Sequence, residues 1–296
     1  MVNLPIGSNR TPRKSCFQKM LVPIDGSRFS FQNEEVAADI ADNFGSRVTM
    51  LHVVPQAIRN PPAEFVQQVS DSIRKEMEDW SLERGKQALE EAKRLFVGGK
   101  ARINTMLVEF ANPAETILKV AREKGSDTIV IGNRGTGEIE EFSLGSVAEK
   151  VSKHAECAVL IVKKGMRMSK ILVAVDGSKH AQKALDYAVQ LALKYNASVT
   201  LMNVAQTVYP FLKADAVKSI GELIVFNAAK RVKDLKVNRR VEIGDPAKTI
   251  IEVAKNENYD LIALGSRGLN PAKKFLLGSV SDKVAGHAQC SVLIVK

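Results

Sequence analysis

The sequence predicts an α/β fold of two tandem domains, each a five-stranded parallel sheet with helices on both faces. Three observations carry that expectation. First, the chain repeats itself: "MLVPIDGS" (20–27) returns as "ILVAVDGS" (171–178), and "NPAETILKVAREKGSDTIVIGNRG" (112–135) returns as "DPAKTIIEVAKNENYDLIALGSRG" (245–268). Second, short runs rich in Val, Ile and Leu recur without strict alternation, as strands buried on both faces require. Third, amphipathic stretches with recognisable helix starts separate those runs, and right-handed crossovers between parallel strands then put helices on both faces. A repeat of roughly 140 residues is a whole domain, too long for a solenoid unit.

Taken in order, residues 1–18 are expected to be a flexible lead-in: Arg and Lys are scattered there without the apolar core of a secretory signal. The first domain is expected over 19–164, a linker over 165–169 and the second domain over 170–296. Strands are expected at 20–25, 47–54, 102–109, 127–132 and 158–163, and again at 170–175, 198–204, 237–243, 260–264 and 291–295. Asn112-Pro113 and Asp245-Pro246 place a capping side chain before a proline at the first helical position. The offset between repeats falls from 151 to 133 after the second strand, which leaves 18 extra residues in the first domain around Ala63–Arg84. Apolar positions there (Phe65, Val66, Val69, Ile73 and Met77) suit a helix packed on the core, or alternatively a lid or partner-docking helix over a site in the first domain.

Of 296 residues, 45% are apolar, enough for two cores, and 26% are charged, as a soluble surface requires. No apolar run approaches the roughly 20 residues that cross a bilayer. Three cysteines form no disulfide framework, so a reducing cytoplasm is the expected compartment. The net charge of +10 is uneven, +8 over 168–296 and +2 over 1–167. A basic half attracts nucleic acid, a membrane surface or a phosphorylated ligand. With basic residues dispersed, aromatics at 5% and no nucleic-acid motif, neither nucleic acid nor membrane is expected as a partner.

Ligands of open parallel sheets sit beyond the carboxyl ends of the strands, at the switch point in strand order. Two loops fall there, "IGNRGTGEIEEFSLGSV" (131–147) and "LGSRGLNPAKKFLLGSV" (264–280). In each, a strand ends at glycine (Gly132, Gly265), a second glycine follows three residues on (Gly135, Gly268), and Gly145-Ser146 or Gly278-Ser279 opens a helix. Glycine permits positive φ and a close ligand approach. A helix start offers free N–H groups and a positive dipole end, which suit phosphate. The spacing is neither a Walker loop nor the Gly-x-Gly-x-x-Gly fingerprint. A purely structural role stands beside this one. Ser146 with Glu149, and Ser279 with Asp282, fit a capping box or its acidic variant. Asp25 and Asp176, closing the first strands, can accept hydrogen bonds from a ribose or adenine, yet Asp-Gly-Ser is also turn chemistry.

Together, Gly-x2-Gly-x9-Gly-Ser after the fourth strand, an Asp ending the first, and a terminal "CAVLIV" or "CSVLIV" strand resemble the universal stress protein family, in tandem form, over 20–164 and 170–296. The complete motif in both repeats is that of the family's ATP-binding branch. The resemblance implies Rossmann-like domains of the adenine-nucleotide α-hydrolase-like kind, with strand order 3-2-1-4-5. It implies that Asp25 and Asp176 contact the adenosine, and that Val53 and Val204 meet adenine through their backbone. Gly132, Gly135, Gly145 and Ser146 would hold ribose and phosphates, as would Gly265, Gly268, Gly278 and Ser279. The implied ligand is ATP (or AMP or ADP) with accompanying Mg²⁺. Final strands that pair across a two-fold axis would make the chain a pseudo-dimer, with further homodimerisation open.

Between the second glycine and Gly-Ser, the first loop has three glutamates and no base, the second two lysines and no acid. At a few tenths to about 1 kcal/mol per solvent-screened charge, that contrast separates two phosphate sites by about tenfold or more, and the C-terminal site is expected to be the tighter. If the five side chains face solvent, the sites match. His154 with Cys157, and His287 with Cys290, suggest metal only superficially: no third ligand is evident, and a helix-ending cation beside a packed thiol explains them. No nucleophile has an adjacent base, so no catalytic residue is assigned and any ATP hydrolysis would be a slow by-product of binding. Two functions remain: a nucleotide-binding regulatory protein, or an adaptor in which the loops are turns and caps and Phe142 or Phe275 blocks the pocket mouth.

Overall fold

In the computed structural model, which describes residues 16–60, 70–135, 144–163, 165, 167–206, 213–268 and 277–296, the ten apolar runs form one ten-stranded sheet. The first repeat supplies β1 (Lys19–Pro23), β2 (Arg47–Pro55), β3 (Arg102–Ala111), β4 (Thr128–Gly132) and β5 (Ala158–Val162). The second supplies β6 (Lys170–Ala174), β7 (Ser198–Ala205), β8 (Val237–Ile243), β9 (Leu261–Gly265) and β10 (Ser291–Val295). The order β3-β2-β1-β4-β5-β10-β9-β6-β7-β8 is 3-2-1-4-5 in each repeat, and every pairing is parallel except β5 with β10.

The helices of the first repeat are α1 (Arg28–Phe44), α2 (Gln56–Arg59), α3 (Asp71–Arg94), α4 (Pro113–Lys124) and α5 (Ser146–His154). Those of the second are α6 (Lys179–Tyr195), α7 (Ala214–Lys230), α8 (Pro246–Asn256) and α9 (Ser279–His287). Ser27 and Ser178 cap α1 and α6, while Asn112 and Asp245 cap α4 and α8 ahead of proline. Where α1 and α4 end on left-handed Gly45 and Gly125, the second repeat uses Asn196 and Asn258 at φ 51 and 53. Asparagine is among the non-glycine residues that adopt this conformation most readily.

Successive strand residues feed opposite cores: Met20 and Val22 pack under α1, α3, α6 and α7, and Leu21 under α4, α5, α8 and α9. Each core runs unbroken through both repeats. At the seam, Leu160 of β5 faces Leu293 of β10, its own counterpart, so a local two-fold axis passes through that pair. Both strands are buried throughout. Past the seam the Lys163 amine donates to the Gly286 carbonyl at 3.4 Å, and Lys296 donates to that of Ser152 at 2.8 Å. Each reaches the C-terminal turn of the opposite repeat's last helix, where a cation is favoured. Burial nonetheless brings both lysines down to about 8.

The fold begins earlier than the expected lead-in allows. Cys16 and Phe17 are buried, with the Phe17 ring 5.1 Å from Phe44 and 5.2 Å from Tyr187 of α6, so this segment joins the repeats. An isolated phenylalanine in a polar run carries no period by which it could be recognised. Residues 1–15 lie outside the described residues. Met168, in the expected linker, is likewise buried.

Seven of the extra residues of the first repeat lengthen a helix that both repeats possess. A Cβ on Gly85 of α3 would lie 2.6 Å from His52 Cδ2, and one on Gly221 of α7 would lie 2.8 Å from Asn203 Oδ1. His52 and Asn203 are repeat equivalents, which makes Gly85 and Gly221 equivalents too. By that match α7 starts level with Glu78, and α3 runs on N-terminally to Asp71, about 10 Å at 1.5 Å per residue. Its core face is Gly85, Ala88, Leu89 and Ala92, whereas Ile73, expected to pack, is half exposed. Phe65, Val66 and Val69 lie outside the described residues.

Gly85→Ala is expected to destabilise the protein by about 1–3 kcal/mol in urea unfolding, because the new methyl overlaps the His52 ring. Gly286→Ala, whose Cβ would meet nothing within 4 Å, is expected to be neutral or stabilising by up to about 1 kcal/mol. Equal effects would show that close packing is not what demands glycine at 85.

Candidate ligand-binding site

The switch point of the first repeat, between the carboxyl ends of β1 and β4, opens into a cavity of about 460 Å³, within the range of small-molecule sites. Asp25, Val53, Gly132, Gly135, Gly145 and Ser146 all line it. The Asp25 carboxylate divides its labour. Oδ1 accepts the Ser27 N–H at 2.9 Å, which is the turn chemistry, while Oδ2 faces the glycine loop. A Cβ on Gly135 would stand 2.6 Å from that oxygen. The second repeat keeps the same arrangement: Asp176 Oδ1 accepts from Ser178 at 2.9 Å, and a Cβ on Gly268 would stand 2.8 Å from Oδ2.

Two expectations are corrected here. The positive-φ glycines among the described residues are Gly26, Gly45, Gly98, Gly125, Gly177 and Gly244, none of them in the loops. Gly135, Gly268 and Gly265, whose Cβ would meet the Ala181 nitrogen at 2.6 Å, are required for closeness rather than for handedness. The capping boxes also do not form. Gly145 and Gly278 are the N-caps, no side chain caps either helix, and Ser146 and Ser279 are exposed at the first helical position. Glu149 instead binds Lys153 at 2.6 Å, and Asp282 lies 3.4 Å from the same amine. A helix start leaves its first N–H groups without intrahelical acceptors. In α5 these belong to Ser146, Val147 and Ala148, all of which border the cavity.

His52 has a structural duty that its repeat counterpart explains. Its Nδ1–H donates to the Ile24 carbonyl at 2.8 Å, and the Asn203 amide makes the same bond to Val175 at 2.7 Å. Each ties the end of the second strand to the residue before the aspartate. Burial holds the His52 imidazole below its usual range, against the opposing pull of the Ile24 bond and Asp25. His154 and His287 end α5 and α9. Among the described residues no three His, Cys, Asp or Glu side chains cluster as a metal site. Burial pushes the Cys157 thiol up to about 12, which keeps it protonated.

Sequence reasoning missed Asn33 and Ser30 of α1 and Trp80 and Arg84 of α3, which also line the first cavity. Their signal was available in the comparison of repeats: Ser30 and Asn33 stand where the second repeat has Ala181 and Ala184, polar side chains on the core-facing side of a helix. Phe142, Phe275 and the charged residues between the second glycine and Gly-Ser of each loop (Glu138, Glu140, Glu141, Lys273 and Lys274) lie outside the described residues, whereas Arg134 lines the first cavity.

Fold and site together define a tandem, doubly wound α/β protein with a ligand cavity at a switch point. The chain matches the profile described as "Universal stress protein family" over residues 17–163 and 168–296, and it belongs to that family. A universal stress protein of Mycolicibacterium smegmatis is 24% identical over 299 residues, covering 94% of this chain and 96% of the relative. One from Methanocaldococcus jannaschii is 34% identical over 152 residues, 51% of this chain and 85% of the relative, matching a single repeat's length. The crystal structure of a universal stress protein from Archaeoglobus fulgidus shares the fold, with a TM-score of 0.69 at 24% identity over 94% of this chain and 98% of that one. No helix among the described residues is long and apolar enough to cross a membrane.

Because the folded state resists protonating His52 while the unfolded chain does not, His52 contributes stability above pH 6.5 that is lost as pH falls below it. His52→Asn, the second repeat's solution, is expected to retain wild-type stability at pH 7.5 and to lose less of it between pH 6.5 and 5. Thermal melts of both proteins across that range check this; identical pH slopes would remove His52 from the account.

Proposed function

We propose that the chain binds an adenine nucleotide in each repeat, and that occupancy biases its conformation or choice of partner. In the first repeat the phosphates lie along the glycine loop and the first turn of α5, the ribose against Asp25, and the base toward the end of β2 at Val53. One observation carries most of this: uncapped N–H groups at the start of α5 border a cavity whose opposite wall is a carboxylate held against glycine. That pairing suits a ligand with phosphates at one end and hydroxyl donors at the other. Asp176, Val204, Gly265, Gly268, Gly278 and Ser279 take the same parts in the second repeat.

ATP with Mg²⁺ is the form favoured. The ion would keep most of its ligands from phosphate and water, since the described residues supply no carboxylate cage for it. The loop charges favour tighter phosphate binding in the second repeat, where two lysines replace three glutamates. No residue is assigned a part in hydrolysis, and a cytoplasmic setting fits the three free cysteines.

Calorimetric titration with ATP and Mg²⁺ tests this. Wild type is expected to show two sites, with Gly135→Ala weakening one and Gly268→Ala the other, because each new methyl displaces an aspartate. Absence of heat in wild type, with no nucleotide released on denaturing the purified protein, would leave the adaptor account in its place.

A further inference from the structure

The two repeats share their loop glycines and the aspartate against them, but not the walls that the helices supply. On α1, Ser30 and Asn33 line the first cavity, while their equivalents Ala181 and Ala184 are apolar core. On α3, Trp80, Ser81 and Arg84 line it. With Gly85 matched to Gly221, the corresponding positions on α7 are Ala216, Val217 and Ile220. Duplication thus preserved the glycine loop and its aspartate and changed the side chains that the helices present.

Two of these side chains are left unsatisfied by the protein itself. Asn33 is 1% exposed, and its Oδ1 accepts no hydrogen bond among the described residues. A buried carbonyl oxygen in that state costs free energy and calls for a partner. Asn33 sits beneath Gly132, its Cβ 3.8 Å from where a Cβ there would be, and lines the cavity. Trp80, the chain's single tryptophan, is 65% exposed, a large ring that folding leaves in water. It is nonetheless held in place. The Arg84 guanidinium, one turn on, lies 5.4 Å from the ring centroid. Arg59 braces the helix, stacked on Phe110 at 3.6 Å and 3.5 Å from Glu78. One ligand would satisfy both groups.

We infer that the first repeat selects its ligand by the nucleoside: a purine base stacks on the Trp80 indole, and a sugar hydroxyl donates to Asn33 Oδ1. The second repeat has neither group and holds its nucleotide through the contacts common to both repeats, Asp176, Val204 and the glycine loop. The inference rests on the nucleotide binding proposed above.

Because Trp80 is the only tryptophan, its fluorescence reports the first site alone. ATP is expected to quench it saturably, in wild type and equally in Gly268→Val, whose second site is obstructed; UTP is expected to bind the first site more weakly. Trp80→Ala is expected to weaken the first site on the order of tenfold, as loss of base stacking does, while leaving the second unchanged. Trp80→Phe should recover most of that loss. Asn33→Ala is expected to raise the melting temperature of the ligand-free protein yet weaken the first site, a combination that a structural asparagine would not produce. Two calorimetric ATP sites with unmoved fluorescence and unaltered affinity in Trp80→Ala would overturn selection by the base and leave nucleotide binding intact. Absence of ATP binding by calorimetry would overturn both.

Discussion

The antiparallel pairing of β5 with β10 is the interaction on which the rest of the molecule depends. Each strand is buried along its whole length, and apolar but for Ser291 at the start of β10. As a free edge, either would expose a row of unpaired backbone groups flanked by Val, Leu and Ile, which is a template for aggregation. Two copies of one domain in a single chain remove both edges at once. Leu160 against Leu293 shows that the solution is symmetric, each strand meeting its own likeness. The outer edges, β3 and β8, are the strands with exposed and charged positions such as Arg102 and Arg239.

That seam also decides where the two switch points lie. Strands within a repeat run parallel, so their carboxyl ends, and the switch point, lie on one edge of the sheet. Reversal of direction at the seam puts the second repeat's switch point on the opposite edge. The switch points therefore lie apart on two shared, continuous cores. The repeats are further joined by the packing of α1 and α6 around Phe17 and Tyr187 and by the lysines that reach across the axis.

Much of this was legible in the residues. Strands buried on both faces write themselves as unbroken Val, Ile and Leu, and caps before proline mark α4 and α8 without ambiguity. Glycines that a structure needs in two copies stand out by their spacing. Other features left no local trace. Phe17 joins the core because Phe44 and Tyr187 come to it from 27 and 170 residues away. His52 and Asn203 resemble each other only once their shared bond to the preceding strand is seen. Ser146 and Glu149 have the spacing of a capping box, yet the helix starts one residue earlier than that pairing needs, since the chain arrives through Gly145 hydrogen-bonded to the Asn133 carbonyl.

The order of the strands, then, came from the family resemblance, while the sequence by itself determined the elements, their parallel arrangement and the position of the glycine loops beyond the strands' carboxyl ends. Each of these follows from periodicity, turn chemistry and the handedness of crossovers, which act over a few residues or hold for every chain. Only the tertiary structure decided that the loop glycines serve closeness to an aspartate, that Gly85 is shaped by His52, and that Asn33 and Trp80 border the same cavity. Those facts depend on which side chains from distant segments arrive at one place, and the distances involved, a fraction of an ångström from overlap, are set by the packing of the whole.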